Sequence, residues 1–132
     1  MTIIEGHRII RSAVGEYNFA LDGGAVGTMV MRGNEVPLNA IIIGSQLNVL
    51  VVPTGGTVTD TLSIGFDAVA DVQAAAARNA APWSTTGVRH GTLAFASVPL
   101  RNAAQRRPRF TINGTGLTGG HVRVILWFVE VF

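Results

Sequence analysis

Cysteine is absent from the 132 residues, and so is lysine. The first absence excludes a disulfide framework, a thiolate zinc site and thiol catalysis. The second makes all ten basic side chains arginine, set against eight acids, for a formal net charge of +2. So small an excess gives no general pull on polyanions, and nucleic acid is not an expected partner. Long apolar runs are missing too. None approaches the ~18–20 residues that a membrane helix requires. Glu5, Arg8 and Arg11 interrupt the apolar runs near the N-terminus, so neither a membrane span nor a secretory signal is expected.

What is present is glycine, at 16 positions, together with frequent threonine and apolar residues amounting to 48% of the chain. That balance favours strands joined by many turns. The length suits one domain over residues 1–132 with a core of its own.

Period-2 alternation marks the strands. In "TVTDTLSIGF" (57–66), Val58, Leu62, Ile64 and Phe66 share one face, and Thr57, Thr59, Thr61 and Ser63 share the other. "NAIIIGSQLNVLVVP" (39–53) repeats the pattern, with Gly44 marking a bulge or a bend. "PTGG" (53–56) reads as a turn that makes these two strands an antiparallel hairpin. Further strands are expected over 7–14, 16–22, 27–32, 91–98, 109–113 and 121–131. About eight short strands suit an all-β antiparallel sandwich of the jelly-roll kind. One segment differs. "DAVADVQAAAARNAAP" (67–82) is alanine-rich, with Asp67 and Asp71 early, Arg78 late and Pro82 as a stop, which predicts a short helix or helical loop near 67–81.

Chemistry-bearing constellations are lacking. His7, His90 and His121 are far apart with no ligand-type neighbours, so no metal is expected. The glycine clusters "DGGAVG" and "NGTGLTGG" are followed by no Lys-Ser or Lys-Thr, and no GxSxG occurs. Asp22, Asp67 and Asp71 have local work as turn formers or caps. The reading is a non-enzyme with no catalytic residue and no cofactor.

Candidate interaction residues do occur. "RNAAQRRPRF" (101–110) holds four of the ten arginines, and Arg106, Arg107 and Arg109 around Pro108 read either as a solvated loop or as a patch for an acidic protein surface. Trp83 and Trp127 read as core or as interface anchors. In the closing stretch, Val122, Val124, Leu126 and Phe128 share one face, while Ile125, Trp127, Val129 and Val131 share the other. Both faces are apolar. Such a strand is either central and covered on its second side by the helical segment, or buried there by a partner chain. Trp127 and Phe132 are the expected anchors.

"EYNFALDGGAVGTMVM" (16–31), Pro37, "APWSTTGVRHGT" (81–92) and "LTGGHVRVILWFVEVF" (117–132) together resemble the capsid cement, or decoration, proteins of tailed phages. The resemblance spans nearly the whole chain. It implies a β-sandwich on the outside of an assembled virion shell, put together in the host cytoplasm. The implied partners are the major capsid protein and a second copy of the chain, as a homodimer or alternatively a trimer. By position, Asp22, Gly23, Gly24, Gly27 and Thr28 match a turn between early strands. Pro82 and Trp83 match a Pro-Trp element, and Thr118, Gly119 and Gly120 match the turn into the closing strand. The arginine-rich 101–110 departs from the pattern. The competing expectation is a fibre, spike or lectin-like module for a host glycan, with Trp83, Arg89 and His90 as its one candidate cluster.

Overall fold

The computed structural model describes residues 10–38, 40–66, 70–91, 100–101 (backbone only) and 107–130. It is all-β, as the composition implies, with two antiparallel sheets. The strands are β1 (Arg11–Asn18), β2 (Gly27–Val30), β3 (Arg32–Gly33), β4 (Ile41–Gly55), β5 (Thr61–Gly65), β6 (Gln73–Ala77), β7 (Gly87–His90), β8 (Leu100–Arg101), β9 (Arg109–Asn113) and β10 (Leu117–Val129). One helical turn, α1 (Phe19–Asp22), follows β1. Asn18 caps it by accepting from the Ala20 amide, and Gly23 closes it at φ 75°.

The six-stranded sheet runs β3-β1-β10-β4-β7, with β8 also on β4. The four-stranded sheet runs β2-β9-β5-β6. Antiparallel pairs β1·β10, β2·β9, β4·β7 and β5·β6 nest from the outside of the chain inward. Successive pairs fall on alternate sheets. This is one long ribbon folded over twice, the jelly-roll arrangement.

That topology corrects the expected hairpin. β4 and β5 follow one another in sequence but lie in opposite sheets, because the ribbon crosses between sheets at 56–60. β4 runs through Pro53 to Gly55, so the turn starts later than "PTGG" suggests. Gly44 does mark a bulge within β4. Its partner is Trp127, the next pair is Ile42 with Phe128, and Ile43 is the extra residue. Thr118, Gly119 and Gly120 lie inside β10, in a stretch of irregular pairing, and the turn itself falls at Gly114–Gly116. The strand expected at 57–66 shortens to β5, where Leu62, Ser63 and Ile64 are all buried. β7 lies at 87–90, and the strand expected at 91–98 falls, apart from Gly91, outside the described residues.

The expected helix near 67–81 is also corrected. Gln73–Ala77 form β6, antiparallel to β5. Residues 67–69 lie outside the described set. Asp71 is no helix cap. Its buried carboxylate accepts from the Phe66 amide at 2.6 Å and ties the approach to β6 back to the end of β5. Arg78 is no helix terminus either. Its guanidinium donates to the carbonyls of Pro53, Gly55 and Thr57 at 3.3–3.4 Å. Alanine's helix preference amounts to a few tenths of a kcal/mol per residue over most alternatives. Ladder bonds to β5 and these two side-chain anchors outweigh it.

The core lies between the sheets. Ala13, Tyr17, Leu47, Val49, Val122, Val124 and Leu126 face Leu62, Ile64, Phe110 and Ile112, all at 0–1% exposure. Tyr17 stacks on Phe110 with ring centroids 4.6 Å apart, and Trp83 meets Phe110 edge-on at 5.9 Å. Such aromatic contacts add roughly 0.5–1.5 kcal/mol each beyond the area they bury. The loop between β9 and β10 is pinned by Asp60, whose carboxylate accepts from the Thr115 amide at 3.1 Å and hydroxyl at 2.7 Å.

Candidate interaction surface

β10 lies in the middle of the six-stranded sheet, between β1 and β4. Its alternation sorts as the sequence indicates. Val122, Val124, Leu126 and Phe128 point into the core, and Ile125, Trp127 and Val129 stay half-buried on the outer face. No described helix covers that face. Neighbouring strands extend it. Cross-strand register sets Val14 beside Ile125, Ser12 and Gly44 on either side of Trp127, and Ile41 beside Val129. A side chain begun at Gly44 would meet Trp127 Cε3 at 3.5 Å, so the indole lies over the glycine. Ile43, lifted by the bulge, is 46% exposed.

The other end of the same face is charged. Arg32, Glu16 and Arg123 are register partners on β3, β1 and β10. Arg123 donates to Glu16 Oε2 through Nε at 3.2 Å and Nη2 at 3.1 Å. His121 Nε2 lies 3.1 Å from Glu16 Oε1, and Arg32 Nη2 lies 3.8 Å from it. Arg32 also donates to both oxygens of Asp22, at 2.9 and 3.1 Å. Asp22 accepts a third bond from the Asn18 amide at 2.8 Å. Burial pushes the Glu16 carboxyl up, but the Arg123 hydrogen bonds and charge, with the His121 ring close by, outweigh it and hold the group below its ordinary 4.5. The Arg32 hydrogen bond, against partial burial, holds Asp22 below 3.8. The arginine side chains keep about two-fifths of their surface exposed, at 41% and 40%. The face is therefore amphiphilic, with an apolar band at one end and a paired charge cluster at the other.

The residues singled out in the sequence scatter. Trp127 lies in the apolar band of the outer face, on the middle strand β10. Trp83 is fully buried in the core, with its indole N–H donated to the Leu62 carbonyl at 3.1 Å, so it reaches no partner. Its polar end is satisfied by a main-chain acceptor inside the sandwich, and its ring fills the gap beside Phe110. The expected glycan cluster dissolves with it. Arg89 donates to the carbonyls of Pro82 at 2.8 Å and Thr85 at 3.1 Å, and His90 is exposed on β7. Of the arginine-rich stretch, Arg107 is half-buried, and Arg109 donates to the Phe66 carbonyl at 2.9 Å as part of the sandwich wall. Arg106 and Phe132 lie outside the described residues. The Glu16 cluster escaped the sequence reading, because Glu16 and Arg123 are 107 positions apart and only the β1·β10 register joins them.

The fold and this face define a jelly-roll sandwich with an amphiphilic outer sheet. The sequence matches no protein-family model and no curated protein. Solved structures do share the fold. A chain of the cyanophage Pam1 capsid asymmetric unit superposes with a TM-score of 0.68 at 18% identity, over 99% of this chain and 92% of that one. A chain of the Ralstonia phage GP4 capsid gives 0.64 at 18% identity, over 100% and 92%. A chain of the acidic stable capsid of Helicobacter pylori bacteriophage KHP30 gives 0.61 at 13% identity, over 93% and 89%. At these identities the likeness is one of fold.

Proposed function

We propose that this chain is a structural protein of a phage virion, bound to the outside of the assembled capsid, where it braces neighbouring major capsid subunits. The observation that carries the reading is the near end-to-end likeness to chains of three phage capsids. The amphiphilic outer face supports it. A sheet face bearing Trp127, Ile125 and Ile43 beside exposed arginines has the composition of a docking surface: aromatic and arginine anchors with few unpaired charges. The mechanism is passive. A protein that binds the assembled lattice and not its free subunits stabilises the lattice by mass action. Self-association as a homodimer belongs to the same reading.

The test is co-sedimentation of purified protein with capsids that lack it, followed by heating of bare and decorated particles. Saturable binding and DNA release at a higher temperature are expected. Trp127→Ala should weaken binding about tenfold or more, the cost of losing a central aromatic anchor. Capsids that neither bind the protein nor gain heat resistance from it would overturn the reading.

A further inference from the structure

The free edges of the two sheets are not alike. In the six-stranded sheet, the β3 edge is two residues long and carries Arg32, and the β7 edge carries Arg89 and His90. In the four-stranded sheet, the β6 edge has its Ala74 carbonyl occupied by Gln73 Nε2 at 3.3 Å. Among the described residues the remaining edge, β2, has none of these devices. From Gly23 to Met31 the chain contains neither a charge nor a proline. Soluble proteins usually blunt an exposed edge with one or the other, because open main-chain groups invite another strand.

The geometry says which groups are open. Met31 donates its amide to the Pro108 carbonyl at 2.9 Å, continuing the β2·β9 ladder. Alternation along an antiparallel strand then turns the main-chain groups of Gly27 and Met29 toward β9, and those of Thr28 and Val30 away from it. The side chains sort the same way. Met29 packs on the core, while Val26 and Val30 are each 54% exposed and Thr28 is exposed. Thr28 Oγ1 lies 2.9 Å from Thr111 Oγ1 on the outer face of the sheet.

We propose that β2 pairs antiparallel with β2 of a second copy about a two-fold axis at Thr28, joining two four-stranded sheets into one. In this register Thr28 faces its own counterpart, and Val30 faces Val26. Thr–Thr and Val–Val cross-strand pairs are both favourable, and no like charges meet. Arg109, the register partner of Val30 on β9, is one strand away and donates to the Phe66 carbonyl. The edge is complementary to itself, as an isologous contact requires. The pairing leaves the outer face of the six-stranded sheet free for the shell. It rests on the self-association within the proposed function and not on the capsid role, so a monomeric protein that still decorates capsids would refute this pairing alone.

Sedimentation of the purified protein across a concentration series should show a dimer. Thr28→Lys and Thr28→Glu, each alone, place like charges opposite one another and should weaken it about tenfold or more, while an equimolar mixture should restore association. The chain has no cysteine. Thr28→Cys therefore creates a lone thiol, roughly 5.5 Å Cα to Cα from its counterpart in a hydrogen-bonded pair and within disulfide reach. It should oxidise to a covalent dimer, and Ala75→Cys on the β6 edge should not. In the unmodified protein, the Thr28 and Val30 amides should exchange more slowly as concentration rises, which reads the pairing without any substitution. A wild-type monomer, a dimer without rescue in the mixture, equal cross-linking from position 75, or concentration-independent exchange overturns the proposal.

Discussion

Tyr17 shows how far one side chain can be specified by the two sheets around it. It is the only tyrosine of the chain, it is fully buried, and its hydroxyl donates to the Gly23 carbonyl at 2.7 Å. Burial, with the Asp22 charge nearby, pushes its hydroxyl from 10.0 up to about 12. A raised value means the fold prefers the protonated phenol. The associated stability is complete below pH 10 and is lost as pH rises toward 12. Because no other tyrosine contributes, phenolate absorbance reports this group alone. The folded protein should stay flat through pH 10 and rise only near 12 or with alkaline unfolding, while the urea-unfolded chain titrates near 10. A folded midpoint at 10 would mean an exposed phenol. Tyr17→Phe should cost about 1 kcal/mol in urea unfolding, the worth of one neutral hydrogen bond. None of this was legible in "EYNF". Alternation can mark Tyr17 as inward, but the Phe110 ring that stacks on it comes from the other sheet.

At the scale of elements, alternation succeeded where a strand is long and one face is core. β10 is the clear case, with its inward set and Trp127 both placed correctly, and the Gly44 bulge agrees. It failed for the alanine-rich segment, because alanine has no strong face and its strand character is imposed by β5. Arg78 holds that segment. It sits just after β6 in one sheet and binds carbonyls at the end of β4 in the other. Arg78→Ala should therefore lower stability by about 1–2 kcal/mol, the order expected for charged donors with long bonds and partial exposure. Hydrogen exchange should quicken at β6 and in the 53–57 stretch before it quickens at β10. A loss confined to residues 78–80 would show that Arg78 does not join the sheets. The arginine could be seen in the sequence near the end of the segment, but its role could not. A helix-terminal and a sheet-bridging arginine look the same until the crossing of the ribbon is known.

Across the whole molecule, the nested pairing of the ribbon brings distant charges together, and the Glu16 cluster records it. Its four strongest members come from β1, α1, β3 and β10, so it exists only when the six-stranded sheet is closed and the first turn is in place. Glu16 and Asp22 are both held below their ordinary values of 4.5 and 3.8. A depressed carboxylate contributes stability that is complete above its unfolded value and is lost as pH falls through its folded one. Stability should thus be level in the weakly acid range above about pH 5 and fall progressively below 4.5. The cluster is partly exposed, so added salt should weaken its share at neutral pH. Urea midpoints measured from pH 7 down to pH 3 test the idea. Glu16→Gln should lower the midpoint at neutral pH and flatten the acid limb, because the variant has one fewer proton to take up on unfolding. Asp60, Asp71 and the other carboxylates are common to both proteins, so the difference between the two curves isolates Glu16. Parallel acid limbs would show that the carboxylate is no better held in the fold than in the open chain, and the charged end of the outer face would then be a set of solvated side chains instead of a network that ties β1, β3 and β10 together.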